Sequence, residues 1–166
     1  MQITVKPISK DSIASFKATR LHALQDTPLA FGSTYERESQ FSDADWQERV
    51  ARYNSVRAVG YLAWDDAQAC GIVGCLLDND DSAKAHIVSM WVAPGYRKIG
   101  VGRMLIEAVI QWAQSQKVKT LFLMVTSCNT DAIHFYERLG FMKTGRTEPY
   151  PNEANLVEYE MMLSLP

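Results

Sequence analysis

At 166 residues the chain is sized for one domain, 1–166, that buries about two-thirds of its unfolded surface without disulfide or metal staples. Its 47% hydrophobic and 22% charged residues suit a soluble globular protein, and a net charge of −2 gives no global case for nucleic acid. No apolar run approaches the ~20 residues of a membrane span, the N-terminus lacks a signal-peptide core, and three cysteines without metal spacing point to a reducing cytoplasm.

Ile3 to Ile8 alternates apolar and polar residues, and Pro7 marks it as an edge strand. Ser9 to Leu24 carries Ile13, Phe16, Leu21 and Leu24 at helical spacing, with Ser9 or Asp11 as cap; Thr27-Pro28 breaks it. Phe31 to Phe41 is polar and mixed, and Ser42-Asp43-Ala44-Asp45 caps a second helix through Trp46 and Val50. Val56–Trp64, Gly71–Leu77 and Ala85–Val92 read as three strands of a hairpin meander joined by acidic turns. After a glycine turn, Val101, Leu105, Ala108 and Trp112 form a helical stripe widened by Met104 and Val109. Thr120 to Thr126 fits a buried parallel strand. Asn129 to Leu139 is a helix capped by Asn129 or Thr130 and ended by Gly140. Phe141–Arg146 and Val157–Leu163 are the last strands, joined by a proline-bearing loop, Thr147 to Asn155. The order predicts an α/β fold, an antiparallel meander feeding one right-handed β-α-β crossover.

The segment from Val92 to Trp112 carries the chemistry. A β-branched run ends at Pro94-Gly95, Arg97-Lys98 follows, and Gly100 and Gly102 lead into a helix. A helix N-terminus offers unpaired N–H groups and a partial positive charge, a seat for phosphate. Gly100 and Gly102 let the backbone approach it, and Arg97, Lys98 and Arg103 add charge. A Walker loop is absent, and the dinucleotide fingerprint fails because Leu105 stands at its third glycine.

The string Arg97-Lys98-Ile99-Gly100-Val101-Gly102 instead resembles the Arg/Gln-x-x-Gly-x-Gly/Ala signature of the GNAT acetyltransferases. Asn129-Thr-Asp-Ala132-Ile-His-Phe135-Tyr136-Glu-Arg-Leu-Gly140-Phe141 is similar to that family's second signature, one helix and one strand downstream. The resemblance implies a mixed, largely antiparallel sheet splayed between the fourth and fifth strands. It implies that the pantetheine arm of acetyl-CoA lies in the gap, bonded to the backbone of Met90, Trp91 and Val92, with its pyrophosphate on the N–H groups from Arg97 to Arg103. By the same resemblance Tyr136 faces the sulfur as hydrogen donor, and Asn129 holds the pantetheine or orders the site, a role compatible with its cap.

Only about one alkyl ammonium in 2,500 is a free nucleophile at pH 7, so the acceptor amine must lose a proton. N-terminal-amine acetylases of the family often carry a Glu at the position of Met124, absent here. His86 stands where histone-type members place a Glu and the arylalkylamine type a His. Strand alternation puts His86, Val88, Met90 and Val92 on one face, and an unperturbed imidazole suits proton removal; a water chain is the alternative. A cysteine nucleophile at Cys128 lacks support, and Cys128, like Cys70 and Cys75, reads as a small buried hydrophobe. His22 and His134 read as solvated, with no metal set around them.

Acceptor specificity is expected from Leu29–Gln40 and Thr147–Asn155. Glu36 and Glu38 are candidates to bind a cationic amine between Phe31 and Tyr35 as walls, with Glu148, Tyr150 and Tyr159 as further candidates at the same mouth. The expected activity is direct transfer from acetyl-CoA to a small-molecule amine, without metal. The alternatives are a protein N-terminus or lysine as acceptor, or a CoA-binding sensor without turnover. A homodimer is compatible with the resemblance.

Overall fold

A computed structural model describes residues 1–166. The strands are β1 (Ile3–Pro7), β2 (Ala58–Asp65), β3 (Gln68–Leu77), β4 (Lys84–Val92), β5 (Thr120–Thr126), β6 (Met142–Pro149) and β7 (Val157–Ser164), and the helices are α1 (Ile13–Asp26), α2 (Tyr35–Glu38), α3 (Asp43–Tyr53), α4 (Val101–Ser115) and α5 (Thr130–Arg138). They follow the predicted order, with α2 added as a single turn in the segment read as mixed. The Ser42–Asp45 capping box starts α3 as expected, and the Asn129 side chain accepts from Ala132 N–H to start α5. No helix is long and apolar enough to cross a membrane.

One sheet runs β1-β2-β3-β4-β5-β7-β6, antiparallel throughout except for β4 and β5. Pro7 does lie on an edge strand, where its missing N–H costs no ladder bond. The parallel pairing covers only Lys84↔Thr120, Ala85↔Leu121 and His86↔Phe122. Beyond it the two strands part, while β5 keeps β7 as partner along its whole length. The splay is therefore the one the resemblance implies.

Two cores sit on opposite faces. One joins the sheet to α4 and α5 through Val101, Leu105, Ile106, Val109, Ile133 and Tyr136. The other joins it to α1 and α3 through Phe16, Leu24, Trp46 and Val50. The buried stripe of α4 is Val101, Leu105, Ile106, Val109 and Ala113, rotated from the predicted one. Ala108, Trp112 and Met104 flank it half-buried, because the helix crosses β2 and β3 and not only β4.

Strand β4 changes phase in its middle. Gly74 pairs with Val88 and Ile72 with Trp91, so Val73 alone faces Ser89 and Met90. Ser89 takes φ 59° to make this bulge. Ala85 and Ile87 before it, and Met90 and Val92 after it, all pack on the α4 core, whereas Trp91 packs on the α1 core. The predicted single face of His86, Val88, Met90 and Val92 is thus wrong: one extra residue puts the first two opposite the last two.

Candidate active site

The glycine turn follows β4 directly. Gly100 has φ +96°, a conformation L side chains rarely adopt, and it caps α4. Gly102 is small for a different reason. A Cβ there would stand 3.0 Å from the Phe135 ring and 3.4 Å from Met90 Cε, so the glycine lets α5 close onto α4. The backbone N–H groups of Lys98, Ile99, Gly100, Val101, Gly102 and Arg103 find no acceptor in the chain. Six consecutive donors at the positive end of a fifteen-residue helix form an open cradle of a polarity that favours an anion.

Arg97 does not simply lend its charge to that cradle. Its guanidinium pairs with Asp26 at the end of α1, and its Nε donates to Val92 O at 2.8 Å. Lys98 and Arg103 remain as the free-standing charges, Arg103 only loosely opposed by Glu107 at 3.8 Å. Ala93 N–H donates to Cys70 O, so by antiparallel alternation the backbone of Val92 turns away from β3 into the gap. The Trp91 side chain is buried against α1 with its indole N–H on Asp26 at 3.0 Å.

Tyr136 is 7% exposed, in T-shaped contact with Phe141. Its hydroxyl has no hydrogen-bond partner, yet Trp46 Nε1 is the only fully sealed side-chain polar atom that lacks one, so the phenol oxygen keeps an opening. Burial pushes this phenol well above its usual range, which keeps it protonated and a donor.

His86 stacks on Phe122 and is fixed by Asp78, whose Oδ2 lies 2.7 Å from its Nε2. The hydrogen bond to His86, with help from the Asp80 and Asp81 amides, holds the Asp78 carboxyl down at about 2. An ionised carboxylate only accepts, so Nε2 donates to it, and Nδ1 is the ring nitrogen left facing away from Asp78. In register His86 shares a face with Phe122, and through β5 with Met124 and Thr126. Four residues of strand place Thr126 roughly 13 Å from it.

On that same face Thr126 Oγ1 donates to Leu29 O at 2.6 Å. Beside Leu29 opens a cavity of about 400 Å³ lined by Leu24, Gln25, Pro28, Leu29, Ser33, Thr34, Tyr35, Glu36, Tyr150 and Asn152. Glu36 is its one carboxylate, and no cation lines it. The Tyr150 hydroxyl donates to Phe31 O at 2.6 Å and Pro28 O at 3.1 Å, which ties the β6–β7 loop over the cavity.

Two predicted acceptor residues stand elsewhere. Glu38 is 2% exposed and bridged by Arg20 and Arg49, each at 2.8 Å. Burial works to raise its carboxyl, but the two guanidiniums hold it below the usual range. Its charge is already met by two guanidiniums, and it does not line the cavity. Phe31 is buried under the Arg20 guanidinium at 4.8 Å and contributes its carbonyl, not its ring, to the cavity's frame. Glu148 pairs with Arg146, and Tyr159 lies under Lys143 at 4.5 Å. Cys70 and Cys75 are buried as expected, burial pushing Cys75 up to about 12, whereas Cys128 is exposed on the β5–α5 turn. Asp26 and Ser89 were not legible as site residues. Asp26 did carry a signal, because an acid at a helix C-terminus opposes the dipole unless a cation meets it.

The model of the acetyltransferase (GNAT) family matches residues 20–141. Streptothricin acetyltransferase of Streptomyces lavendulae is 30% identical over 141 residues, 81% of this chain, and the chain spans 66% of that enzyme, just under two thirds. The [ribosomal protein bS18]-alanine N-acetyltransferase of Escherichia coli K12 is 31% identical over 137 residues, 79% of this chain and 86% of that one. Among solved structures, yncA of Salmonella typhimurium with its cofactor acetyl-CoA superposes with a TM-score of 0.79 at 18% identity, over 100% of this chain and 95% of its own. A family match over most of the chain, two signatures in the family's order and the splayed sheet lead to one conclusion: the protein belongs to the acetyltransferase (GNAT) family.

Proposed function

We propose that residues 1–166 form one N-acetyltransferase domain that moves an acetyl group from acetyl-CoA directly to a small-molecule primary amine, without a metal. The observation that carries the donor half is the run of six unpartnered amides from Lys98 to Arg103, which fits a diphosphate. The gap between β4 and β5 beside Val92 fits an extended arm laid along a strand edge. When bound, acetyl-CoA supplies a thioester carbonyl and a thiolate leaving group.

The chain's own residues do the rest. Glu36 attracts the ammonium into the cavity, and Tyr35, Gln25, Ser33, Thr34 and Asn152 offer it polar walls. His86, reached through water because roughly 13 Å of strand separates it from Thr126 beside the cavity, takes the ammonium proton on Nδ1, and Asp78 steadies the imidazolium. Tyr136 donates a hydrogen bond to the departing sulfur. Full proton transfer from a phenol to a thiolate of pKa about 8.5 is uphill, so Tyr136 stabilises charge and keeps its proton, and the second proton that the nitrogen sheds on becoming an amide passes to the departing thiolate. Asn129, its oxygen on the cap, retains an amide NH₂ for the arm.

One carboxylate and about 400 Å³ suit a small amine with a single ammonium at its inner end. A peptide amine is the second reading, supported by the 31% identity to the bS18-alanine enzyme. The deciding experiment measures CoA release over an amine panel headed by streptothricin, spermidine and an Ala-initiated peptide. Turnover of a small amine is expected. Turnover of the peptide alone would reverse the choice, and acetyl-CoA binding without turnover of any amine would favour a sensor. Acetyl-CoA at about 100 times its Kd stabilises by roughly 2.7 kcal/mol, a Tm rise of about 8 °C.

A further inference from the structure

One short segment, from Leu24 to Phe31, touches both the glycine turn and the acceptor cavity. Leu24, Gln25, Pro28 and Leu29 line the cavity. Between them Asp26 accepts the Trp91 indole N–H at 3.0 Å and the Arg97 guanidinium, while Arg97 Nε reaches Val92 O at 2.8 Å. Three residues on, Leu29 O takes the Thr126 hydroxyl at 2.6 Å. The segment is thus a strap pinned to β4 at Asp26 and to β5 at Leu29, across two strands that share no pairing beyond His86 and Phe122. His22, one turn earlier, stands edge-on to Trp91 at 4.9 Å. Burial works to raise the Asp26 carboxyl, but the bonds from Trp91 and Arg97 hold it below its usual range.

We infer that Asp26 is a positioning residue: through Arg97 and Trp91 it makes the Leu24–Phe31 wall of the cavity respond to a diphosphate seated on the Lys98–Arg103 amides. An anion that orders the turn fixes Arg97, Arg97 fixes Asp26, and the wall then loses less freedom when it grips an amine. This rests on the acetyl-CoA reading above.

The test is amide exchange followed by NMR on the full chain, with and without saturating acetyl-CoA, and needs no identified amine. In the wild type, exchange should slow about tenfold at 98–103 and also at Thr27, Leu29, Ala30 and Phe31. In Asp26→Asn the turn should still be protected and the strap should not. Arg97→Gln cuts the same link from the other side and serves if Asp26→Asn fails to fold. Protection of the turn without the strap in the wild type overturns the inference alone, as does a strap protected equally in the folded variant. No protection at the turn overturns the acetyl-CoA reading and this inference with it.

Discussion

Glu38→Gln separates a substrate carboxylate from a structural one. Glu38 is 2% exposed and holds Arg20, itself 5% exposed, and Arg49. Removing one partner of a buried ion pair costs about 3–5 kcal/mol because the other charge stays buried. Gln retains one oxygen as acceptor, so the lower end, about 3 kcal/mol, applies. An unfolding entropy of about 2.1 cal/mol/K per residue gives about 350 cal/mol/K for 166 residues. The melting temperature should therefore fall by roughly 9 °C, measured by calorimetry at pH 7. Because the folded carboxyl is held below its ordinary value, its contribution is present above an unfolded pKa near 4.3 and lost as pH falls through the folded one. The gap between wild type and variant should close in acid. A variant that melts within about 2 °C of the wild type, with its loss confined to a raised acceptor KM, would refute the reasoning and return Glu38 to the acceptor site.

Tyr136→Phe should lower kcat about 10- to 100-fold with acetyl-CoA affinity within about twofold, measured by turnover and calorimetry; loss of affinity alone removes it as donor to the sulfur. His86→Ala should abolish the acidic limb of the pH–rate profile, since activity falls when the base is protonated; an unaltered limb assigns the proton elsewhere. Gly100→Ala, at φ +96°, should cost about 1–2 kcal/mol and lower the melting temperature by about 3–6 °C, and an unchanged Tm would mean the turn relaxes freely.

The element order was legible because each segment has its own period and cap: Ser42 with Asp45, Asn129 with Gly140, the alternation of β1. The two glycines were legible as a tight turn opening a helix, although Gly102 owes its size to Phe135, a residue 33 positions away. The bulge was not, because Ser89 is no glycine and its left-handed φ depends on the neighbouring strand and on Arg20, whose Nη1 donates to its hydroxyl at 3.2 Å. Glu36 and Glu38, two positions apart on one helical turn, look alike in sequence. Only the arrival of Arg20 from α1 and Arg49 from α3 sends one inward and leaves the other at the cavity.

The Ser89 bulge works as a phase shift written into a single strand. Upstream of it β4 presents His86 to the face that carries α1 and the cavity, and downstream it turns Trp91 there and sends Met90 and Val92 to α4. Deleting one residue at this point would keep the strand's length and hydrophobicity nearly intact while exchanging the inside and outside of everything on one side of the cut. A library of single deletions along β4 should therefore be least tolerant where no side chain touches a reacting atom, at the residue that keeps the two halves out of step.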